Sequence, residues 1–151
     1  GLGVPADAVA LALRGIETMA VRMAHQGRVA LDFARDLSTR DIGEVLHPAL
    51  PGSPRHALWA RDFTGSSGVF SVVLDDATRL DEALNALRVF AIGASWGGTR
   101  SLMAPMTITR DNPHPRNDKT ILRLQIGLED PADLSADLAA FFDILTNKKG
   151  A

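Results

Sequence analysis

The sequence contains no cysteine, which excludes a disulfide framework, a thiolate zinc site, an iron–sulfur cluster and a cysteine nucleophile together. A cytoplasmic setting suits such a chain. Lysine is scarce as well: of 16 basic residues thirteen are arginine, and the lysines are Lys119 and the near-terminal pair Lys148 and Lys149. Chemistry that needs an activated amine has few residues to draw on. Positive charge is not in excess either, because Lys+Arg 16 against Asp+Glu 18 leaves a formal net charge of −2. That balance excludes a general nucleic-acid binder. Apolar runs reach only about half a dozen residues, against the ~20 that a membrane-spanning helix requires, so no membrane segment is expected. The opening Gly1-Leu2-Gly3-Val4-Pro5 lacks an initiator methionine, a basic n-region and an apolar h-region. No signal peptide is therefore expected, and the chain is expected to be a fragment.

What is present suits one domain, since 151 residues with 46% hydrophobic side chains can fill a single core. Ile16, Met19, Ala20 and Met23 recur at i, i+3, i+4 and i+7 and predict a helix over about 6–24. A second helix is expected after His25-Gln26-Gly27, with Ala30, Phe33, Ala34 and Leu37 as its apolar stripe, and a sheet is the natural partner for both stripes. A short strand follows at 42–46. Pro48, Pro51, Gly52 and Pro54 then predict a surface loop, and residues 56–63 a short helix. After the turn Gly65-Ser66-Ser67-Gly68, the β-branched run 69–74 is the strongest strand signal. Thr78 with Asp81 resembles a capping box ahead of a helix over 79–88.

Short strands are expected at 90–93 and about 102–109. In the run 121–126, Leu122, Leu124 and Ile126 share one face while Arg123 and Gln125 share a wetter one. Asp130 with Pro131 starts a last helix whose buried stripe is Leu134, Leu138, Phe141, Phe142 and Leu145. The order ααβ(α)βαβββα predicts an α+β fold, a small antiparallel-leaning sheet with helices on one face.

Several motifs suggest chemistry. Gly93-Ala94-Ser95-Trp96-Gly97 matches G-x-S-x-G, the nucleophile elbow of serine hydrolases, with Asp111 and His114 following in the right order. The elbow requires a helix directly after the serine, and Gly97-Gly98 and Pro105 leave little room for one. The four histidines, His25, His47, His56 and His114, show no metal-ligand spacing and are expected at caps or on the surface; no metal site is predicted. Arg123, between leucines at mid-strand, either offers a bidentate fork to a carboxylate or is an ordinary arginine on the wet face of a sheet. Trp96 either aims its indole N–H into a cleft or buries its ring.

Four segments in fixed order carry a resemblance: Leu13-Arg14-Gly15-Ile16-Glu17-Thr18-Met19; His47-Pro48-Ala49-Leu50-Pro51-Gly52-Ser53-Pro54; Ser95-Trp96-Gly97-Gly98; and Arg123-Leu124-Gln125-Ile126-Gly127-Leu128-Glu129-Asp130. Together they resemble the C-terminal part of the Cys/Met-metabolism family of enzymes that use pyridoxal phosphate (PLP), and within it the cystathionine β-lyases. The resemblance implies the small C-terminal domain of a fold-type I enzyme. Residues 1–24 are then a connecting helix from a missing large PLP-binding domain, 25–147 the small domain and 148–151 a tail. It implies Arg123 as the arginine that binds the substrate carboxylate, with Ser95 and Trp96 lining that pocket.

No catalytic residue is implied in this chain, because the lysine that bonds the cofactor belongs to the large domain. PLP is expected in the full-length enzyme and not on this fragment, which should be inactive alone. The implied partners are the large domain, further copies in a homotetramer and a small amino-acid thioether. The implied reaction is β-elimination of cystathionine to homocysteine, pyruvate and ammonia, in methionine biosynthesis or transsulfuration. Where related sequences usually carry glutamate two residues after the Gly-Gly pair, this one has Thr99-Arg100, which reverses the charge at the distal end of the site. A γ-synthase, a γ-lyase or a lyase for another thioether is the alternative within that chemistry. A non-catalytic interaction or oligomerisation domain of the same ancestry and a serine hydrolase using Ser95 are the alternatives outside it.

Overall fold

The run 69–74 and the alternating run 121–126 become neighbouring strands. A computed structural model describes residues 3–147. Its elements are α1 (Ala6–Glu17), α2 (Met19–Leu37), β1 (Gly43–Leu46), α3 (His56–Asp62), β2 (Val69–Leu74), α4 (Leu80–Ala86), β3 (Ala91–Ile92), β4 (Leu102–Thr107), β5 (Thr120–Gln125) and α5 (Pro131–Thr146). The sheet runs β1-β2-β5-β4-β3. Its pairs are antiparallel except β3 with β4, a short parallel edge. The expected α+β class and order of elements are therefore those of the molecule.

Period-two patterning decides which face is covered. Phe70 pairs with Leu124, Val72 with Leu122 and Met103 with Leu124. All five belong to one core cluster with Val29, Ala30, Ala34 and Leu37 of α2, Ala83 and Leu84 of α4, and the stripe Leu134, Leu138, Phe141, Phe142 and Leu145 of α5. Three helices thus pack on one face. Each buried leucine or phenylalanine contributes roughly 1.5–3 kcal/mol, and Phe141 and Phe142 meet edge to face with centroids 5.0 Å apart. α5 starts where its cap directs: the Asp130 carboxylate accepts the Ala132 N–H at 2.8 Å, with Pro131 in the first turn.

Five expectations need correction. The helix expected over 6–24 is two helices divided at Thr18, and α2 continues through His25-Gln26-Gly27 to Leu37. The Arg22 side chain spans the division, donating to the Gly15 carbonyl at 2.6 Å and the Thr18 hydroxyl at 3.1 Å. Gly27 is no helix break. A Cβ there would lie 2.3 Å from the Ser66 carbonyl oxygen, so the glycine admits a close crossing of α2 by the 65–68 turn. Second, the stripe of the first helix does not pack on the sheet. α1 buries no residue, and Ile16 at 60%, Met19 at 47% and Met23 at 48% remain exposed.

Third, the capping box is not made: the Thr78 N–H donates to the Asp76 side chain at 2.8 Å, and α4 has no side-chain cap. Fourth, Gln125 is buried rather than wet, its Nε2 donating to the Ile126 carbonyl at 2.6 Å. Fifth, His47 is a core residue, 1% exposed, and Ala49 and Leu50 of its loop are buried with it.

Two buried polar groups hold connections in place. Asp137 of α5 accepts the N–H groups of Arg88, Val89 and Phe90, each at 2.9 Å, tying the α4–β3 connection to the last helix. The His47 Nδ1 accepts the Ala49 N–H at 3.1 Å, so its proton sits on Nε2, which is buried without an acceptor. Burial, and next the Arg35 charge, push its pKa below the ordinary value.

Replacing Asp137 with alanine strands three N–H groups and should destabilise the chain by about 3 kcal/mol, read as a lower denaturant midpoint. Asp137→Asn should lie between, since it keeps one acceptor oxygen. For His47 the folded pKa lies below the unfolded one, so the unfolded chain takes the proton first. Its contribution is complete above about pH 6.5 and declines as pH falls below that value. His47→Asn, whose side-chain oxygen accepts an N–H two residues on, should flatten the fall in urea midpoint between about pH 7 and 5.5. An unchanged slope contradicts the assignment.

Candidate functional site

β5 is the middle strand, so both its edges are occupied by β2 and β4. Arg123 points away from the core face, and its cross-strand neighbours are Ser71 on β2 and Ala104 on β4. Two small side chains leave the guanidinium room to extend across the sheet. It reaches residues 93–101, which join β3 to β4. There Nη2 donates to the carbonyl of Ala94 and to that of Ser95, the latter at 3.1 Å. The Nε and Nη1 groups have no acceptor among the described residues. An arginine carries five N–H donors, so part of a strongly directional cation is left for an external anion.

The same segment is held along its length. The Gly98 carbonyl accepts from Gln26 Nε2 at 2.7 Å, and the Thr99 carbonyl from the Leu128 N–H at 2.8 Å. Ser101 is fully buried. Its N–H and hydroxyl donate to the two carboxylate oxygens of Glu129 at 2.8 and 2.7 Å, and its hydroxyl oxygen accepts the Gly127 N–H at 2.8 Å. Gly127 is required by this approach, because a Cβ there would lie 2.4 Å from the Thr99 carbonyl oxygen. Burial pushes the Glu129 pKa up, but the N–H and hydroxyl of Ser101, Glu129's own N–H and the Arg100 charge outweigh it and hold the carboxyl below its ordinary value.

Of the residues singled out in the sequence, Arg123 and Ser95 are brought together, through the Ser95 carbonyl rather than its hydroxyl. Trp96 follows Ser95 in the chain, but it is 66% exposed rather than buried. A cleft of about 510 Å³ lined by Arg40, Asp75, Asp76 and Asp143, and an apolar one of about 440 Å³ at Leu58, Trp59 and Phe63, contain none of the three. Ser95 and Trp96 are exposed to solvent, and Arg123 is half-buried.

The serine-hydrolase elbow is not formed. No helix follows Ser95, since the chain bends through 97–100 and enters β4. Among the described residues no hydrogen bond joins Ser95, Asp111 and His114, and the His114 Nδ1 accepts the Arg116 N–H at 3.2 Å. Nor does any group of three or more His, Asp and Glu side chains among the described residues offer a metal site. None of the described helices is long and apolar enough to cross a membrane.

A family described as Cys/Met metabolism PLP-dependent enzyme matches residues 1–143. The chain belongs to this family. It is 45% identical over 150 residues to the cystathionine beta-lyase of Bordetella avium, covering 95% of this chain and 37% of that protein. To a putative cystathionine beta-lyase of Rhizobium johnstonii it is 44% identical over 148 residues, covering 93% of this chain and 37% of that one. The chain thus spans little more than a third of the length of these relatives. Among solved structures it superposes on cystathionine gamma-lyase from Lactobacillus plantarum, crystallised with L-serine, with a TM-score of 0.77 at 22% identity, over 89% of this chain and 38% of that one. That likeness is one of fold, the α+β small domain of the fold-type I enzymes.

The family's enzymes depend on PLP, and the described residues do not fit that cofactor. Lys119, the lysine among them, is exposed directly before β5, four residues ahead of Arg123. Lys148 and Lys149 lie outside the described residues.

Gln26, Ser101 and Glu129 escaped the sequence reading as site residues. Glu129 stood in a motif already noticed, where only Asp130 had an evident local task. Gln26 sits beside Gly27, which resembles a helix break in sequence but lies within α2. The available signal is a pair of glycines, Gly27 beside Gln26 and Gly127 two residues before Glu129. Ser95, with no base beside its hydroxyl, should remain unlabelled by a fluorophosphonate probe; stoichiometric labelling read by mass spectrometry would restore the hydrolase reading.

Proposed function

We propose that this chain is the C-terminal, substrate-carboxylate-binding domain of a PLP-dependent carbon–sulfur lyase acting on an amino-acid thioether, cystathionine foremost. The observation that carries the reading is the guanidinium of Arg123. It is oriented by two backbone carbonyls, flanked by small side chains and left with free N–H donors. A carboxylate is the anion that such a planar, multiply donating cation accepts best. Ser95 and Trp96 stand beside it on the same segment, and in this reading they line the carboxylate pocket. The cofactor, its lysine and the bond-breaking steps belong to protein beyond this chain; the cofactor supplies the electron sink when bound. What the domain contributes is orientation, because a substrate held by its carboxylate cannot rotate its reacting bonds out of alignment.

Two further features support a domain that works against a larger body. Among the described residues the first buried one is Gln26, while residues 3–25 include exposed Leu11, Leu13, Ile16, Val21 and Met23. Exposed apolar side chains in this number suit an interface. In the proposed enzyme this segment, corresponding to residues 1–24, connects to the large PLP-binding domain and lies within a homotetramer. The fragment alone is inactive and binds no PLP. The whole enzyme is cytoplasmic.

In the full-length enzyme Arg123→Ala should lower kcat/KM for cystathionine by about two to three orders of magnitude, chiefly through KM, since a charge-assisted anchor of 2–4 kcal/mol is lost. Arg123→Lys should fall between, keeping the charge without the fork. Unchanged kinetics in Arg123→Ala would contradict the assignment.

A further inference from the structure

The structure assigns Glu129 a positioning role: through Ser101 its carboxylate pins the 94–100 segment in the arrangement in which the Ala94 and Ser95 carbonyls hold the Arg123 guanidinium. This deepens the carboxylate-binding reading and rests on it for its functional consequence.

The argument starts from what could otherwise hold the segment. Residues 94–100 have no regular structure, and 95–100 are exposed. A stretch with two adjacent glycines, Gly97 and Gly98, has wide backbone freedom and no propensity to keep one shape. Its position is therefore decided by its anchors. At the β3 end the ladder holds Gly93, whose N–H donates to the Met103 carbonyl at 3.1 Å. At the β4 end the anchor is Ser101, buried, with both its N–H and its hydroxyl committed to the Glu129 carboxylate. The hydroxyl oxygen closes the arrangement by accepting the Gly127 N–H.

A carboxylate that accepts two hydrogen bonds from one residue fixes that residue's orientation as well as its distance. Fixing Ser101 fixes the direction in which the chain leaves it toward Arg100 and Thr99. The Thr99 carbonyl can then meet the Leu128 N–H, and the Gly98 carbonyl the Gln26 amide. Beyond Gly98 the described residues supply no further anchor until Arg123 itself takes the Ser95 and Ala94 carbonyls. Glu129 and Arg123 thus hold opposite ends of one segment, and both are carried by the same stretch of chain, β5 and its continuation.

Arg100 supports the arrangement. Its positive charge helps to keep the Glu129 carboxyl ionised, so the reversed charge noted in the sequence has a local task here. A glutamate at that position would instead set two carboxylates against each other. Glu129 touches no substrate in this account; it acts through Ser101 on the placing of Arg123.

The test reads the segment directly, through Trp96. The chain has two tryptophans, so Trp59→Phe leaves Trp96 as the single fluorophore. In that background Glu129→Ala should raise the amplitude of fast local motion in the time-resolved anisotropy of Trp96 by about twofold, with the far-UV circular dichroism unchanged. Glu129→Gln, which keeps an acceptor for the Ser101 N–H, should fall between, and it is the deciding variant if Glu129→Ala does not fold. Unchanged anisotropy in the folded variant overturns the proposal.

The second arm uses the full-length enzyme, where Glu129→Ala should raise KM for cystathionine about tenfold with little change in kcat, and Glu129→Gln should restore most of it. A mobile Trp96 with unchanged KM, in an enzyme whose Arg123→Ala variant does show a raised KM, also overturns it. The anisotropy needs no substrate. If Arg123→Ala leaves KM unaltered, the carboxylate reading fails, independently of what Trp96 reports.

Discussion

β5 is the last strand in sequence and the middle one in space, hydrogen-bonded to β2 on one edge and to β4 on the other. A central strand has no freedom to shift register, because a slip of one residue would exchange its two faces. Leu122 and Leu124 face the helices with no exposure to solvent. That burial fixes Arg123, between them, on the opposite face. The residues that follow, Ile126 to Asp130, are equally constrained, since Ile126 is buried and Asp130 caps α5. Between those two fixed points lie Gly127 and Glu129, which take hold of the β3–β4 connection. One strand and its exit therefore orient both the candidate anion site and the segment that shapes it.

The charge economy of the chain is consistent with this arrangement. Thirteen arginines and three lysines give a surface rich in forked, directional donors. Several are committed within the molecule, as in the Arg116 pair with Glu44 at 2.9 and 2.5 Å and the Arg79 pair with Glu82. Exposed pairs of this kind contribute little to stability. Arg123 differs because its protein partners are neutral carbonyls, which orient a guanidinium without cancelling its charge. An incoming carboxylate would meet a cation already held in place, so the entropic cost of ordering it has been met on folding.

The sequence made the order of elements and their class legible because period-two and period-3.6 patterning report directly on which side chains are covered. Leu122, Leu124 and Ile126 announced a covered face, and Leu134 to Leu145 a buried stripe. Errors arose where a residue answers to a distant neighbour. Gly27 looks like a helix break until the Ser66 backbone is found against it. Gln125 looks solvent-facing by alternation, yet the turn at Gly68 lies against its amide and it is buried. Thr78 and Asp81 have capping-box spacing, but Asp76 competes for the Thr78 N–H. The stripe at Ile16, Met19 and Met23 is apolar as its spacing predicts, but it stays exposed instead of facing the sheet. Arg123 and Ser95 stand in motifs legible in the sequence, and the structure brings the two together. Glu129 was not, because its partner Ser101 lies 28 positions away.

The most direct test is a crystal structure of the full-length enzyme with an amino-acid substrate analogue bound. The account predicts the analogue's carboxylate within about 3 Å of the Arg123 guanidinium, with Nε or Nη1 donating to it and the Ala94 and Ser95 carbonyls still in contact with Nη2. A carboxylate bound by other residues, with Nε and Nη1 of Arg123 facing solvent, would contradict it.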